Sequence, residues 1–156
     1  MKTRLLGLGN PMLSDDGVAI HIVRALAQDP RCAGADVAEA SVGGLRLLDL
    51  IIGYDRVVLV DAIQTRGGQA GEIYRLRVAD LTETLHSGSS HDLSLTGALW
   101  LGRSLNMRLP PDDGIHIVAV EAADVRTFAE ACTRPVAAAI PEAIEAVVEI
   151  LHLLLV

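Results

Sequence analysis

Aromatic side chains are scarce in this chain, and their scarcity limits what the protein can bind. Only 3% of its 156 residues are aromatic. Proteins that hold single-stranded nucleic acid stack bases on such rings, so few stacking platforms are available here. Basic residues are also in deficit, because 13 Lys and Arg stand against 20 Asp and Glu for a formal net charge of −7. An acidic chain has no general attraction for phosphate backbones, and we expect no nucleic acid among its partners.

Cysteine is scarce as well, with Cys32 and Cys132 lying far apart and outside any C-x-x-C motif. Their spacing excludes a zinc ribbon or a redox pair, and it favours buried thiols in a reducing compartment. Long apolar runs are missing: the run that follows Arg4 is broken from Gly7 onward, and the apolar tail over 150–156 is too short to span a membrane. We therefore expect a cytoplasmic protein with no membrane partner.

The residues that are present predict alternating strands and helices. Apolar residues make up 51% of the sequence, enough for one sizeable core over a single domain, 1–156. Strands are predicted over 4–9, 36–42, 56–60, 72–78 and 115–120. The strand over 72–78 alternates with period two, as expected near a sheet edge. The alternation predicts an α/β fold: a single three-layer domain with a twisted, mostly parallel five-stranded sheet and helices on both faces.

Four helices complete the predicted fold. The first follows Ser14, which is predicted as its N-cap, with Asp15 and Asp16 in its first turn offsetting the helix dipole. The others are predicted over 45–52, over 92–105 with Leu95, Leu99 and Trp100 on the inside, and from Pro135 toward Leu155.

Candidate ligand-binding groups follow from the sheet prediction. Ligands of open α/β sheets collect beyond the carboxyl ends of the strands. That rule selects the segments 9–16, 42–44 and 61–68, together with the loop that holds His86 and His91. The polar groups that stand out in these segments are Asn10, Asp16, Asp61 and His91.

Two carboxylates and one imidazole among these groups form an open ligand set for a divalent ion. Oxygen and nitrogen donors of this kind suit Ni, Zn, Mn or Co and do not choose among them. Three protein ligands leave coordination positions for substrate or water. Each group also has a plain structural explanation, such as loop capping by Asp61 or a surface position for His91.

The glycine motif after the first strand occupies the place of a dinucleotide-binding loop. Its third glycine would fall at position 12, which is Met12. Asp15 and Asp16 lie where a pyrophosphate would rest and would repel it. The sequence therefore argues against a dinucleotide site.

Three segments resemble the signatures of the nickel-iron hydrogenase maturation endopeptidases. Residues 6–17 read LGLGNPMLSDDG, residues 57–62 read VVLVDA, and residues 90–93 read SHDL. Residues 118–121, VAVE, and an amphipathic final helix from Pro135 are similar to that family too. The resemblance covers nearly the whole chain, in order.

The resemblance implies an endopeptidase that removes a C-terminal extension from a hydrogenase large-subunit precursor after nickel insertion. It implies that the nickel-contacting residues are Asp16, Asp61 and His91. Nickel then arrives with the substrate as the recognition element and is not held tightly by the resting enzyme. Asp16 and Asp61 are also the candidate catalytic groups of an aspartyl endopeptidase, either as a carboxylate base or through metal-assisted hydrolysis.

The sequence departs from the family pattern in places, most notably after the second strand. There 39–42 read EASV where the family commonly has DGGT, and this segment is predicted to border the cleft. Substrate choice is therefore expected to differ from that of better-known members.

Two other functions compete with this one. Peptidyl-tRNA hydrolases also open with a strand and Gly-Leu-Gly-Asn-Pro, followed by a catalytic histidine, for which His21 is the candidate. The acidic balance argues against a tRNA partner. A non-catalytic docking module for hydrogenase assembly is the other alternative, and it should tolerate replacement of His91.

Overall fold

Five strands form one sheet in the computed structural model, which describes residues 1–43, 45–81 and 92–156. Their bounds are β1 Thr3–Leu8, β2 Asp36–Ala40, β3 Arg56–Ile63, β4 Ile73–Arg77 and β5 Ile115–Glu121. The strand order is β2-β1-β3-β5-β4. Every pairing is parallel except that of β4, an edge strand that runs antiparallel to β5. The predicted mostly parallel five-stranded sheet is confirmed, as is the edge position of the strand with period-two alternation.

Helices cover both faces of the sheet. Their bounds are α1 Val18–Leu26, α2 Arg46–Ile51, α3 Asp92–Ser104 and α4 Arg134–Leu155. On one face, α1 and α4 bury side chains against Val58 and Val60 of β3. On the other face, α2 and α3 pack against Val57 and Leu59. Successive residues of β3 alternate between the two cores, so its continuous apolar run is explained by burial on both sides. The predicted three-layer arrangement is confirmed.

The start of α1 differs from the prediction. Ser14 does not cap the helix, because it begins a separate 3-10 turn, Ser14–Gly17, and α1 starts at Val18 with Gly17 as its N-cap. Ser14 has a φ of 50°, and its N–H donates to the carbonyl oxygen of Ala129 at 2.8 Å. This contact with a distant loop, which local sequence cannot reveal, displaces the N-cap of the helix by three residues, from Ser14 to Gly17.

Trp100 was predicted on the inside of α3, and that prediction is wrong. Leu95 and Leu99 are buried as expected, but the Trp100 side chain is 70% exposed. Each helical residue turns about 100° from the one before it, and Trp100 lies past the buried stripe that Leu95, Ala98 and Leu99 form. Among the described residues, no helix is both long and apolar enough to cross a membrane.

Candidate active site

A cleft of about 220 Å³ opens at the carboxyl edge of the sheet, where β1, β2 and β3 end. Two acidic side chains, Asp16 and Asp61, line it together. The rest of its lining consists of Leu8, Gly9, Asn10, Leu13, Ser41 and Val42. The predicted segments 9–16, 42–44 and 61–68 therefore each contribute to one cleft, as the strand-end rule requires for parallel neighbours.

The loop after β1 is folded so that Asp16 lies on the cleft wall. The Asn10 N–H donates to Asp16 Oδ2 at 2.9 Å, and Asn10 Oδ1 accepts from the Met12 N–H at 2.9 Å. The Leu13 N–H donates to the Asn10 carbonyl, and the Asp16 N–H donates to that of Leu13, both at 3.1 Å. One Asp16 oxygen is thereby engaged by the loop backbone, and the half-buried carboxylate is held at a defined position.

Gly9 permits the close approach of β1 to this loop, and its replacement tests that role. Its φ is 148°, and a Cβ added at Gly9 would overlap the carbonyl oxygen of Asp16. We expect Gly9→Ala to lower the free energy of unfolding by more than about 2 kcal/mol, because both backbone strain and displacement of the Asp16 turn oppose the native fold. Urea denaturation measures this difference.

Gly97→Ala is the matched control for that substitution. A Cβ at Gly97, an exposed residue in α3, meets no atom within 4 Å. Since alanine favours helix by about 1 kcal/mol over glycine, this control should equal or exceed the wild type in stability. Equal stability of Gly9→Ala and the wild type would show that the approach of β1 to Asp16 is not constrained as described.

Asp61 reaches the same cleft from β3. The strand places it opposite Ala119 of β5, two residues before β3 ends at Ile63. Its Oδ1 accepts from the N–H of Ala62 at 2.8 Å. The side chain is only partly buried, so the carboxylate faces an accessible space and not the apolar core.

Ser41 contributes to the cleft in a way that sequence reasoning did not anticipate. Its hydroxyl donates to the Gly9 carbonyl oxygen at 2.7 Å, and the Gly9 N–H donates to the Ala40 carbonyl oxygen at 3.0 Å. These bonds extend the connection between β1 and β2 past Leu8 and Ala40, the last paired residues of the two strands. The departure from the family pattern at 39–42 thus lies at the cleft, while Glu39 turns outward to pair with Arg24 at 2.7 Å.

His91, the third predicted ligand, lies outside the described residues, as does His86. Within the part of the chain that the structure describes, no group of three or more His, Cys, Asp or Glu side chains could hold a metal ion. The structure therefore brings together two of the three predicted metal-contacting residues, Asp16 and Asp61.

Asp15 has a different role from the one predicted for it. Its side chain is fully buried and lies in the 3-10 turn, not in the first turn of α1. Its carboxylate accepts from the N–H groups of Ala123, Asp124 and Thr133 at 2.9, 3.0 and 2.7 Å. The Thr133 hydroxyl also donates to it, at 2.8 Å. Because Thr133 is the N-cap of α4, Asp15 ties the cleft loop to the segment between β5 and α4.

Glu121 is a second buried carboxylate that sequence reasoning did not assign to the site. It ends β5 opposite Ile63 and is only 2% exposed. It accepts from the Thr65 N–H at 3.0 Å and from the Thr65 hydroxyl. A Cβ at Gly68 would overlap this carboxylate in its present position, so a larger residue there would displace the Glu121 side chain. Glu121 therefore anchors the loop that follows Asp61.

Cys132 lies near the Asp15 cluster and is not suited to nucleophilic attack. Its Sγ is 3.8 Å from the Ser14 carbonyl oxygen. Burial, with a further contribution from the negative charge of Asp15, raises the pKa of the Cys132 thiol to about 11. The thiol stays protonated at neutral pH, whereas the reactive form of cysteine is the thiolate. The carboxylates remain the candidate catalytic groups of the cleft.

Fold and cleft together define a three-layer α/β protein with two carboxylates at the carboxyl edge of its sheet. The model of the hydrogenase maturation protease family matches residues 20–150. The chain is 27% identical to the hydrogenase 2 maturation protease of Escherichia coli over 101 residues. That alignment covers 64% of this chain and 62% of the relative, so it spans less than two thirds of the relative's length.

Solved structures agree with the family match. The hydrogenase maturating endopeptidase HybD from E. coli superposes with a TM-score of 0.80 at 26% identity, over 97% of this chain and 93% of that one. HybD from Thermococcus kodakarensis, a [NiFe] hydrogenase maturation protease, gives a TM-score of 0.75 at 25% identity, over 96% and 99%. This chain belongs to the hydrogenase maturation protease family. Proteins of that family are proteases, which are hydrolases, and the E. coli structure is named an endopeptidase.

Proposed function

We propose that this protein removes the C-terminal extension of a nickel-iron hydrogenase large-subunit precursor. Its membership of the hydrogenase maturation protease family supports the assignment. The observation that carries it is the convergence of Asp16 and Asp61 on one cleft from two separate strand ends. The free thiols Cys32 and Cys132 suit the reducing cytoplasm, where such a precursor would be processed.

Nickel belongs to the substrate in this proposal and is the feature that marks the precursor as ready. Asp16, Asp61 and His91 are its proposed contacts on the enzyme. Carboxylate and imidazole donors suit a borderline ion, and so few of them leave positions for ligands that the precursor itself supplies. Only a precursor that carries the ion would then be held at the cleft.

The cleft offers two routes to peptide hydrolysis. A carboxylate, Asp16 or Asp61, can accept a proton from the attacking water as a general base. Alternatively, the substrate's metal polarises the water or the scissile carbonyl while the carboxylates orient it. In both routes the Asn10 N–H donates to Asp16 Oδ2 at 2.9 Å and so fixes the carboxylate, while Asp16 Oδ1 remains available to the cleft.

The peptidyl-tRNA hydrolase alternative finds no support at the cleft. His21 Nε2 lies 3.0 Å from the carbonyl oxygen of Glu130, and His21 is not among the described residues that line the cleft. No observation favours the docking-module alternative, and replacement of His91 distinguishes it from a protease.

Replacement of His91 tests the proposed function against the docking module. Purified precursor is incubated with wild-type protein, His91→Ala or His152→Ala, and the C-terminal peptide is followed by intact-mass measurement. His152 is an exposed residue in the last turn of α4, so its variant is the matched control. We expect cleavage by the wild type and by His152→Ala, and cleavage slowed about tenfold or more by His91→Ala, because one proposed contact to the substrate's nickel is lost.

Two outcomes would contradict the proposal. If the protein bound the precursors from the same genome but cleaved none of them, the docking module would be favoured. Equal rates for His91→Ala and His152→Ala would remove His91 from the site.

A further inference from the structure

Two large apolar side chains lie exposed on the loop that carries Asp16 and on the segment hydrogen-bonded to that loop, and neither belongs to the core. Met12 is 55% exposed and Phe128, the only phenylalanine in the chain, is 81% exposed. Exposing a side chain of this size to water is unfavourable, since burial of a Phe or Met contributes about 1.5–3 kcal/mol. A neighbouring pair of such residues is a more informative feature than a single exposed leucine.

Backbone hydrogen bonds bring the two residues to the same stretch of surface. The Ala129 N–H donates to the Met12 carbonyl oxygen at 3.0 Å, and the Ser14 N–H donates to that of Ala129 at 2.8 Å. These bonds form a parallel bridge between Leu13 and Ala129. Phe128 and Met12 each precede a residue of that bridge. Together they form what we call the Met12–Phe128 patch.

The Met12–Phe128 patch is continuous with the cleft. Met12 stands between Asn10 and Leu13, both of which line it. The Met12 N–H donates to Asn10 Oδ1 at 2.9 Å, so the exposed side chain and the cleft wall belong to one folded turn. The patch therefore lies close enough to Asp16 for a polypeptide seated in the cleft to reach it.

The patch is held rigidly, which suits a binding surface. Asp15, in the turn that follows Leu13, bonds to Asp124 and Thr133 on either side of Phe128. The Asp124 carboxylate accepts from the N–H groups of Arg126 and Thr127 at 2.9 and 3.0 Å. The segment carrying Phe128 is thus fixed at both ends against the cleft loop. Preorganisation of this kind reduces the entropy lost on binding.

We propose that the Met12–Phe128 patch binds an apolar side chain of the precursor next to the scissile bond and so helps to select the substrate. The inference rests on the proposed function and names a further feature of its substrate. The occupant is an apolar residue of the extended polypeptide, because the patch consists of two apolar side chains. The patch does not include the carboxylates Asp16 and Asp61, so its occupant is not the residue whose peptide bond is cleaved. Binding there acts on substrate affinity and leaves the reacting groups unchanged.

Steady-state cleavage of purified precursor by Met12→Ser, Phe128→Ser and the double variant tests this proposal. We expect KM to rise about tenfold for each single variant, as the loss of one buried apolar contact predicts, with kcat within about twofold of the wild type. Leu153→Ser is the matched control, since Leu153 is 77% exposed but lies near the end of α4. Thermal unfolding confirms that all variants are folded.

A second arm identifies the occupant on the substrate side. Apolar residues flanking the scissile bond of the precursor are replaced by serine one at a time. Replacement of the precursor residue that occupies the patch should raise KM for the wild-type enzyme. The same replacement should change KM little further for Phe128→Ser. Unchanged KM in the double variant, or additive effects at every precursor position, would overturn the inference while leaving the proposed function intact. Failure of the wild type to cleave would overturn both.

Discussion

Asp16→Asn or Asp61→Asn should slow cleavage of the precursor by at least about a hundredfold, because each removes a charge that the reaction requires. Asparagine is isosteric and keeps one oxygen, so the Asn10 N–H can still donate to residue 16. The fold should therefore survive both changes. Single-turnover cleavage followed by intact mass gives the rate, and circular dichroism confirms the fold.

Asp49→Asn provides the control for these two variants. Asp49 is an exposed aspartate on α2 and is not among the described residues that line the cleft. Its variant should cleave at the wild-type rate. If Asp16→Asn and Asp61→Asn both cleaved as fast as Asp49→Asn, neither carboxylate would take part in the chemistry, and the proposed site would be wrong.

Asp15→Ala should destabilise the protein by about 3 kcal/mol or more, even though Asp15 adjoins Asp16 in sequence. The buried carboxylate is the shared acceptor for the N–H groups of Ala123, Asp124 and Thr133. Removing it leaves these donors without their partner, at a cost of about 1–3 kcal/mol for each donor that water cannot reach. Scanning calorimetry should show Tm lower by about 6–12 °C for a chain of this size.

The adjacent carboxylate supplies the comparison. Asp16→Asn should keep nearly wild-type Tm while losing activity, whereas Asp15→Ala should lose stability first. Asp15→Asn, which retains one acceptor oxygen, should fall between the wild type and Asp15→Ala. A wild-type Tm for Asp15→Ala would show that the Asp15 hydrogen bonds contribute nothing to the fold.

Most of the architecture could be predicted from the sequence because its local signals agree with one another. The apolar run over 56–60 predicts a strand covered on both faces, and β3 is such a strand. The alternation over 72–78 predicts an edge strand, and β4 is at the edge. The strand-end rule places Asp16 and Asp61 at the same edge of the sheet, and they line one cleft.

Contacts between distant segments account for what the sequence could not predict. Asp15 and Asp16 look alike as an acidic pair near a helix start, but only the loop after β5 distinguishes the buried anchor from the cleft residue. The same loop, through Ala129, shifts the N-cap of α1 from the predicted Ser14 to Gly17. Glu121 likewise gives no local sign that it holds Thr65.

The proposed function makes the carboxylate cleft act on a precursor that is recognised by the nickel it carries. Its most direct test is intact-mass measurement of two samples of one precursor, nickel-loaded and nickel-free, each incubated with the wild-type protein. We expect loss of a C-terminal peptide from the nickel-loaded sample alone. Cleavage of both samples at equal rates would contradict the role of nickel, and cleavage of neither would contradict the assignment of this precursor as the substrate.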